Sequence, residues 1–201
     1  MNVKNCIKVF QQSITDYHVT NSVDSVCLNP YRLNSFEYLL YEKNYIDTVQ
    51  WHLEDIIRDP HIDTVEALAI KRRIDASNQH RTDLVEKIDD WFMNYFSDVK
   101  KQEGAGLNTE TPAWALDRLS ILELKIYHMR AEAERSDAPP EHSFSCKQKL
   151  NILSDQRADL TLSLQQLADD IKEGKKYMKL YRQMKMYNDA SLNPVLYGKS
   201  K

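Results

Sequence analysis

Six prolines and four glycines are the only strong chain-breakers in 201 residues, and where they fall limits the fold more than any motif does. Pro30, Pro60, Pro112, the pair Pro139–Pro140 and Pro194 divide the chain into long intervals with few turn-formers. An all-β chain needs a turn every 8–12 residues or so, and this one lacks the glycine and proline to build them. Within the intervals apolar residues recur at steps of three and four, the period of a helix face. Ile70, Ile74, Asn78, Arg81, Val85, Ile88, Phe92 and Tyr95 form one stripe. Leu119, Leu122, Ile126, Met129 and Ala133 form a second. Leu150, Leu153, Leu160, Leu164, Leu167 and Ile171 form a third, with Arg157 in its path.

Start signals place the helices. Asn34 before Glu37, Asp63 before Glu66 and Ser145 before Gln148 have capping-box spacing, and Thr111 precedes a proline suited to a first helical position. The expected elements are a short helix over 3–17, an irregular link to Asn34, long helices over 35–58, 64–98, 112–134 and 146–173, and a last basic helix over 175–187. One-sided helices must bury their stripes on each other. The expected fold is therefore all-α, an antiparallel bundle of four long helices flanked by a short N-terminal and a basic C-terminal helix. The whole chain, 1–201, reads as one bundle domain: 1–34 helix and link, 35–187 bundle, 188–201 irregular tail. A shift of 76 residues lays Trp51–His52 on Tyr127–His128, Arg81 on Arg157 and Ile88 on Leu164, the pattern expected of two pseudo-symmetric hairpins.

Composition narrows the function classes. Hydrophobic residues at 42% are enough for a core and too many for a disordered chain. The net charge of −3 gives no general case for binding a DNA duplex. No stretch reaches the roughly 20 apolar residues of a membrane span, and the amino terminus has no signal-peptide run. Three widely spaced cysteines read as reduced thiols, so a cytoplasmic location is expected. No cofactor is expected. No metal is expected either, because no histidine follows a glutamate by three residues and His142 and Cys146 stand isolated. Phosphate loops and a serine-nucleophile elbow are missing.

The polar residues within the stripes carry the functional question. Arg81 and Arg157 interrupt apolar faces, with Asn78 one turn before Arg81 and with His52 and His128 on the stripe flanks. One reading gathers them into a polar layer at mid-height, where two arginines grip an anion and the histidines handle protons. The other pairs each arginine with a carboxylate such as Asp47, Asp117 or Glu123 and assigns the layer to helix register. Glu54 and Arg58 have ion-pair spacing on a helix. The lysine-rich segment 172–187, interleaved with tyrosine and methionine, reads either as a contact surface for RNA or an acidic partner, or as a helix docked by its Tyr/Met side.

Several segments carry a family resemblance. NTETP at 108–112, DRLSIL at 117–122 and KIYHM at 125–129 resemble motifs of the domain-of-unknown-function 4254 family of bacterial proteins. So do Lys71–Arg72, Ile74–Asp75, Asn78–Gln79, Arg81, Asp83 and Glu86, and the ending YRQMKMYND at 181–189 with LNP at 192–194. Trp51, Glu54–Asp55 and Arg58 match a first motif in part, with Ile56–Ile57 where a small residue belongs, and Ala113 stands in the place of a glycine. The resemblance brings no assigned activity; it implies a link to envelope polysaccharide synthesis. The ligand-binding candidates are His52, Arg81, Asp117, Arg118, His128 and Arg157, and the resemblance adds weight to those on the 112–129 helix. Glu54, Asp55, Asp75, Asn78, Asp83, Glu110, Lys125 and Asp159 are the supporting polar groups. The leading expectation is a binding or accessory protein acting through a protein partner or as a homodimer. The alternatives are an enzyme or small-anion binder using the Arg/His layer, and RNA binding through the basic C-terminal helix.

Overall fold

The computed structural model describes residues 1–183 and 191–192. It is an all-α bundle of five helices: α1 (Val3–Thr20), α2 (Phe36–Ile56), α3 (Thr64–Tyr95), α4 (Pro112–Ala133) and α5 (Pro140–Lys172). Two-residue strands β1 (Gly106–Leu107) and β2 (Lys176–Tyr177) pair in parallel. No helix among the described residues is long and apolar enough to cross a membrane.

Residue pairs fix how the helices run. Asp47 meets Arg81 and Gln50 meets Asn78, so α2 and α3 lie side by side in opposite directions. Arg157 faces Glu123 and His142 faces Glu132, so α5 opposes α4 in the same way. Asn44 meets Ser120 and Trp51 stacks on His128, which sets α2 and α4 parallel. Ser13 donates to the Tyr41 carbonyl while His18 reaches His52, so α1 runs parallel to both. α4 touches all four other helices. Its Leu116 and Leu119 are fully enclosed, packed with Phe10, Leu84, Phe92 and Leu164.

The N-terminal helix is no accessory. α1 extends to Thr20, where Asn21 in the left-handed region at φ 49° ends it. Val3, Cys6, Phe10, Ile14 and Tyr17, at steps of three and four, are all buried. Two expected starts shift. Asn34 has φ 62°, incompatible with the extended backbone of an N-cap, so Ser35 caps α2 and accepts from the Tyr38 amide. Ser145 lies inside α5, which begins at Pro140 because a proline at the first position lacks only an N–H that no helical bond would use. Asp63 caps α3 as its spacing predicts, accepting from the Val65 and Glu66 amides.

The expected helix over 175–187 does not form in its described part, and residues 184–187 lie outside the described residues. Gly174, at φ 74°, closes α5 instead. Its amide bonds the Ile171 carbonyl and the Lys175 amide bonds that of Asp170, the paired bonds of a Schellman end. The chain then extends so that Lys176 and Tyr177 ladder onto Gly106 and Leu107. Lysines of this segment face local carboxylates, Lys175 with Glu173 and Lys176 with Asp170, while Arg182 reaches Asp90 at 2.6 Å.

A β-carbon on Gly174 would lie 2.3 Å from the Lys100 carbonyl oxygen. Gly174→Ala therefore meets both an unfavourable φ and a backbone clash, and is expected to destabilise by more than about 1 kcal/mol in urea unfolding.

Candidate functional site

A buried charge network joins α2, α3 and α4. Lys43 is 1% exposed, as buried as the neighbouring leucines. Its ammonium donates to Asp47 Oδ2 at 2.5 Å and also to Asp117. Arg81 Nε donates to Asp47 Oδ1 at 2.6 Å, and its Nη2 lies 3.5 Å from Asp117. The Ser120 hydroxyl donates to Asp47 Oδ2 at 2.6 Å and accepts from Asn44 Nδ2 at 2.9 Å. Two cations thus meet two carboxylates with their hydrogen bonds nearly complete, the condition under which buried charge is tolerated.

Arg157 sits elsewhere. It lies 3.7 Å from Glu123 Oε2, which also accepts from Gln11 Nε2 at 3.0 Å on the α1 side of α4. Burial pushes the Glu123 carboxyl up, against the pull of Gln11 and Arg157. The pairs Asp47–Arg81 and Glu123–Arg157 differ by 76 residues at both members, and Asn44–Ser120 and His52–His128 are contacts between positions 76 apart.

The single mid-height layer of arginines and histidines is not formed. His52 and His128 lie one to two turns beyond the charge network toward the C-terminal ends of their helices, where they meet His18. Burial lowers the pKa of His128 to about 4, and the neighbouring His52 and His18 add to the effect. His52 is lowered by the same causes, burial first. Asp47, the partner of Arg81, lies a full helical turn before Trp51 and His52 on α2, and Trp51 stacks on His128 at 4.8 Å and 5°.

Outside the network, a cleft of about 260 Å³ opens between α2, α3 and α4. Trp51, Glu54 and Asp55 line it from α2, Arg58 from the turn after α2, Arg81 from α3, and Ile121 and Leu124 from α4. Arg58 is two-thirds exposed and lies 3.3 Å from Glu54 and 3.5 Å from Asp55. Because α3 and α5 flank α4 without touching, the cleft continues along α4. Asn78, Arg81 and Asp117 line one neighbouring hollow, and Arg118, Lys125 and Asp159 line a groove against α5. Glu110 pairs with the exposed Arg118 at 2.5 Å at the start of that face. Of the remaining candidates, Asp75 pairs with Lys71 and Asp83 accepts from Gln79 on the solvent side of α3, away from the cleft. Lys43 and His18 were missed by the sequence reading. Lys43 has an i,i+4 relation to Asp47, and His18 follows directly on the Phe10–Ile14–Tyr17 stripe.

The chain belongs to the DUF4254 family, described as a protein of unknown function, whose model matches residues 37–180. The match spans α2 to β2, takes in every residue of the cleft, and leaves α1 outside. No curated protein and no solved structure matches the chain.

Deleting one partner of a buried pair leaves an uncompensated charge, which costs roughly 3–5 kcal/mol. Asp47→Ala, which leaves Lys43 and Arg81 to share Asp117 alone, is expected to lose stability on that scale in urea unfolding, while Arg157→Ala removes a partly exposed guanidinium 3.7 Å from a carboxyl that burial already pushes toward its neutral form, and loses clearly less. A second test uses pH. Burial raises the Asp89 carboxyl from 3.8 to about 6, with Asp90 and Glu86 adding to the effect and Arg182 opposing it. The folded state therefore holds a proton that the unfolded chain releases, so this group's stabilising share is complete below pH 3.8 and is lost as pH rises through 6. Asp89→Asn should raise the melting temperature at pH 7.5, with a gain that shrinks as pH falls below 6.

Proposed function

We propose that this chain is a non-catalytic binding protein whose ligand site is the cleft beside the charge network, and that it takes a small, hydroxyl-rich anion of the sugar-phosphate class. The observation that carries the reading is the convergence on one hollow of polar residues from separate segments. Trp51, Glu54 and Asp55 come from one helix, Arg58 from the turn that follows it and Arg81 from the next helix. A tryptophan offers a flat apolar wall to a sugar ring, carboxylates accept its hydroxyls, and an exposed arginine fork suits phosphate. The volume accommodates one sugar-sized ring, with the groove along α4 for anything attached to it.

The paired state of Arg81 and Arg157 argues for binding over catalysis. Neither guanidinium is held for an incoming substrate, and the histidines lie behind Trp51 from the cleft. A sugar-phosphate ligand is compatible with an accessory role in envelope polysaccharide synthesis. The other reading, a protein partner or a second copy of the chain, is favoured by Phe144, Ile152 and Leu162, which α5 leaves largely exposed.

A thermal-shift panel of hexose 1-phosphates and nucleotide sugars tests the cleft. Ligand at about 100 times its dissociation constant stabilises by roughly 2.7 kcal/mol, which for this length is a rise of several degrees. The rise should disappear in Arg58→Ala, whose side chain is exposed and whose fold is expected to be intact. A panel with no shift, or a shift that survives Arg58→Ala, overturns the reading.

A further inference from the structure

Three imidazoles meet where the parallel helices α1, α2 and α4 approach their C-terminal ends. The ring centroids of His18, His52 and His128 form a nearly equilateral triangle with sides of 5.3, 5.4 and 5.4 Å. Neighbouring planes are inclined by 67°, 65° and 70°, so the rings stand like the blades of a propeller. One nitrogen of each lies within 4.8 Å of the other two. His18 Nε2 and His52 Nε2 are 3.3 Å apart.

An aromatic packing cluster would explain the apolar backing of these rings. Tyr17 stacks on His52 at 5.1 Å, Trp51 on His128 at 4.8 Å, and Tyr127 lies 4.3 Å from His18. Packing does not explain the nitrogens. His128 Nε2 is buried and has no hydrogen-bond partner, an unfavourable state that any apolar ring would avoid. Meanwhile His18 Nδ1 lies 2.7 Å from the Ile14 carbonyl oxygen. A carbonyl only accepts, so Nδ1 carries the proton and Nε2 of the neutral ring presents a lone pair to the other two histidines. A backbone carbonyl that fixes the tautomer in this way is the usual outer support of a metal-bound histidine.

We propose that His18, His52 and His128 form a three-histidine site for a first-row transition-metal ion of the Zn²⁺ class, with water in the remaining coordination position. Zn–N bonds of about 2.0–2.1 Å in a tetrahedron place ligand nitrogens roughly 3.3–3.4 Å apart. The His18–His52 spacing already meets that requirement, and small rotations bring in His128. An all-imidazole set selects Zn²⁺, Cu²⁺, Ni²⁺ or Fe²⁺ over Mg²⁺ and Ca²⁺, which take oxygen. Imidazole binds a metal ion in its neutral form, so uptake is expected to release protons from any ring that carries a charge. His18 lies in the last turn of α1, where the helix dipole favours a cation. All three side chains are partly rather than fully buried, which leaves a path for water to the fourth position, as in zinc sites that keep an open position. The site draws on α1 as well as on the family-matched span 37–180, so it belongs to this chain as a whole.

The test uses tag-free, full-length protein stripped with chelator and titrated with Zn²⁺ by calorimetry and with Co²⁺ by visible absorption. The expected result is one equivalent bound at micromolar affinity or tighter, with the visible bands of a four-coordinate Co²⁺ site and no competition from millimolar Mg²⁺. His52→Ala and the milder His18→Asn, each checked for an intact helical spectrum, should weaken binding by at least about tenfold. His142→Ala should leave it unchanged. His142 with Cys146 and Glu132 is the other nearby donor set, at 3.4 and 3.0 Å. No stoichiometric binding, binding that persists in both folded histidine variants, or binding that is lost in His142→Ala would falsify the proposal.

Discussion

The fold depends on the way Asp47 is shared. A lysine as buried as Lys43 has no place in a helix core unless an anion meets it, and Asp47 meets both Lys43 and Arg81 while Ser120 completes its lone pairs. The carboxylate thus ties α2 to itself, to α3 and to α4. Asp117 adds a second link from α4 to the same two cations. Apolar packing tolerates a slide of one helix along another at modest cost, whereas this quartet permits one register, because a slip of one turn would leave charges buried without partners. That register places Trp51 against His128 and Arg81 on the wall of the cleft.

Much of this was legible in the sequence because it follows from local pattern. The scarcity of glycine and the placement of proline led to helices, and the three stripes predicted which faces are buried. The buried sides of α3 and α4 follow those stripes closely, with Tyr95 the exception, since it lies at the frayed end of α3 and is nearly half-exposed. Arg81 and Arg157 were recognisable as charges in need of partners, and Asp47, Asp117 and Glu123 were the carboxylates within reach. The 76-residue offset recurs in the Asp47–Arg81 and Glu123–Arg157 pairs.

What was not legible depends on contacts between distant segments. Gly174 ends α5 by its own conformation, but extension of the following residues comes from pairing with β1, some 70 residues earlier. The polar layer was drawn at mid-height because stripe position gives the angle of a residue around its helix and says little about its height in the bundle. Height is set by the register between α2, α3 and α4 that the Asp47 network fixes, and nothing local in any one helix states it.

The parallel course of α1, α2 and α4 also orders the molecule electrostatically. Three helices end on the same side and the oppositely directed α3 and α5 begin there, so the helix dipoles largely offset one another and leave that side a small negative excess. The three histidines gather near that end, and the balanced Lys43–Asp47–Arg81–Asp117 quartet lies deeper, where little net field from the termini reaches it. Trp51 stands between the two, stacked on His128 and lining the cleft. Because it is carried by a helix whose register the quartet sets, its position is as rigid as the quartet itself. Sites built on packed helices hold their geometry better than sites on loops. The cleft and the histidine triangle inherit that precision from the same buried carboxylate.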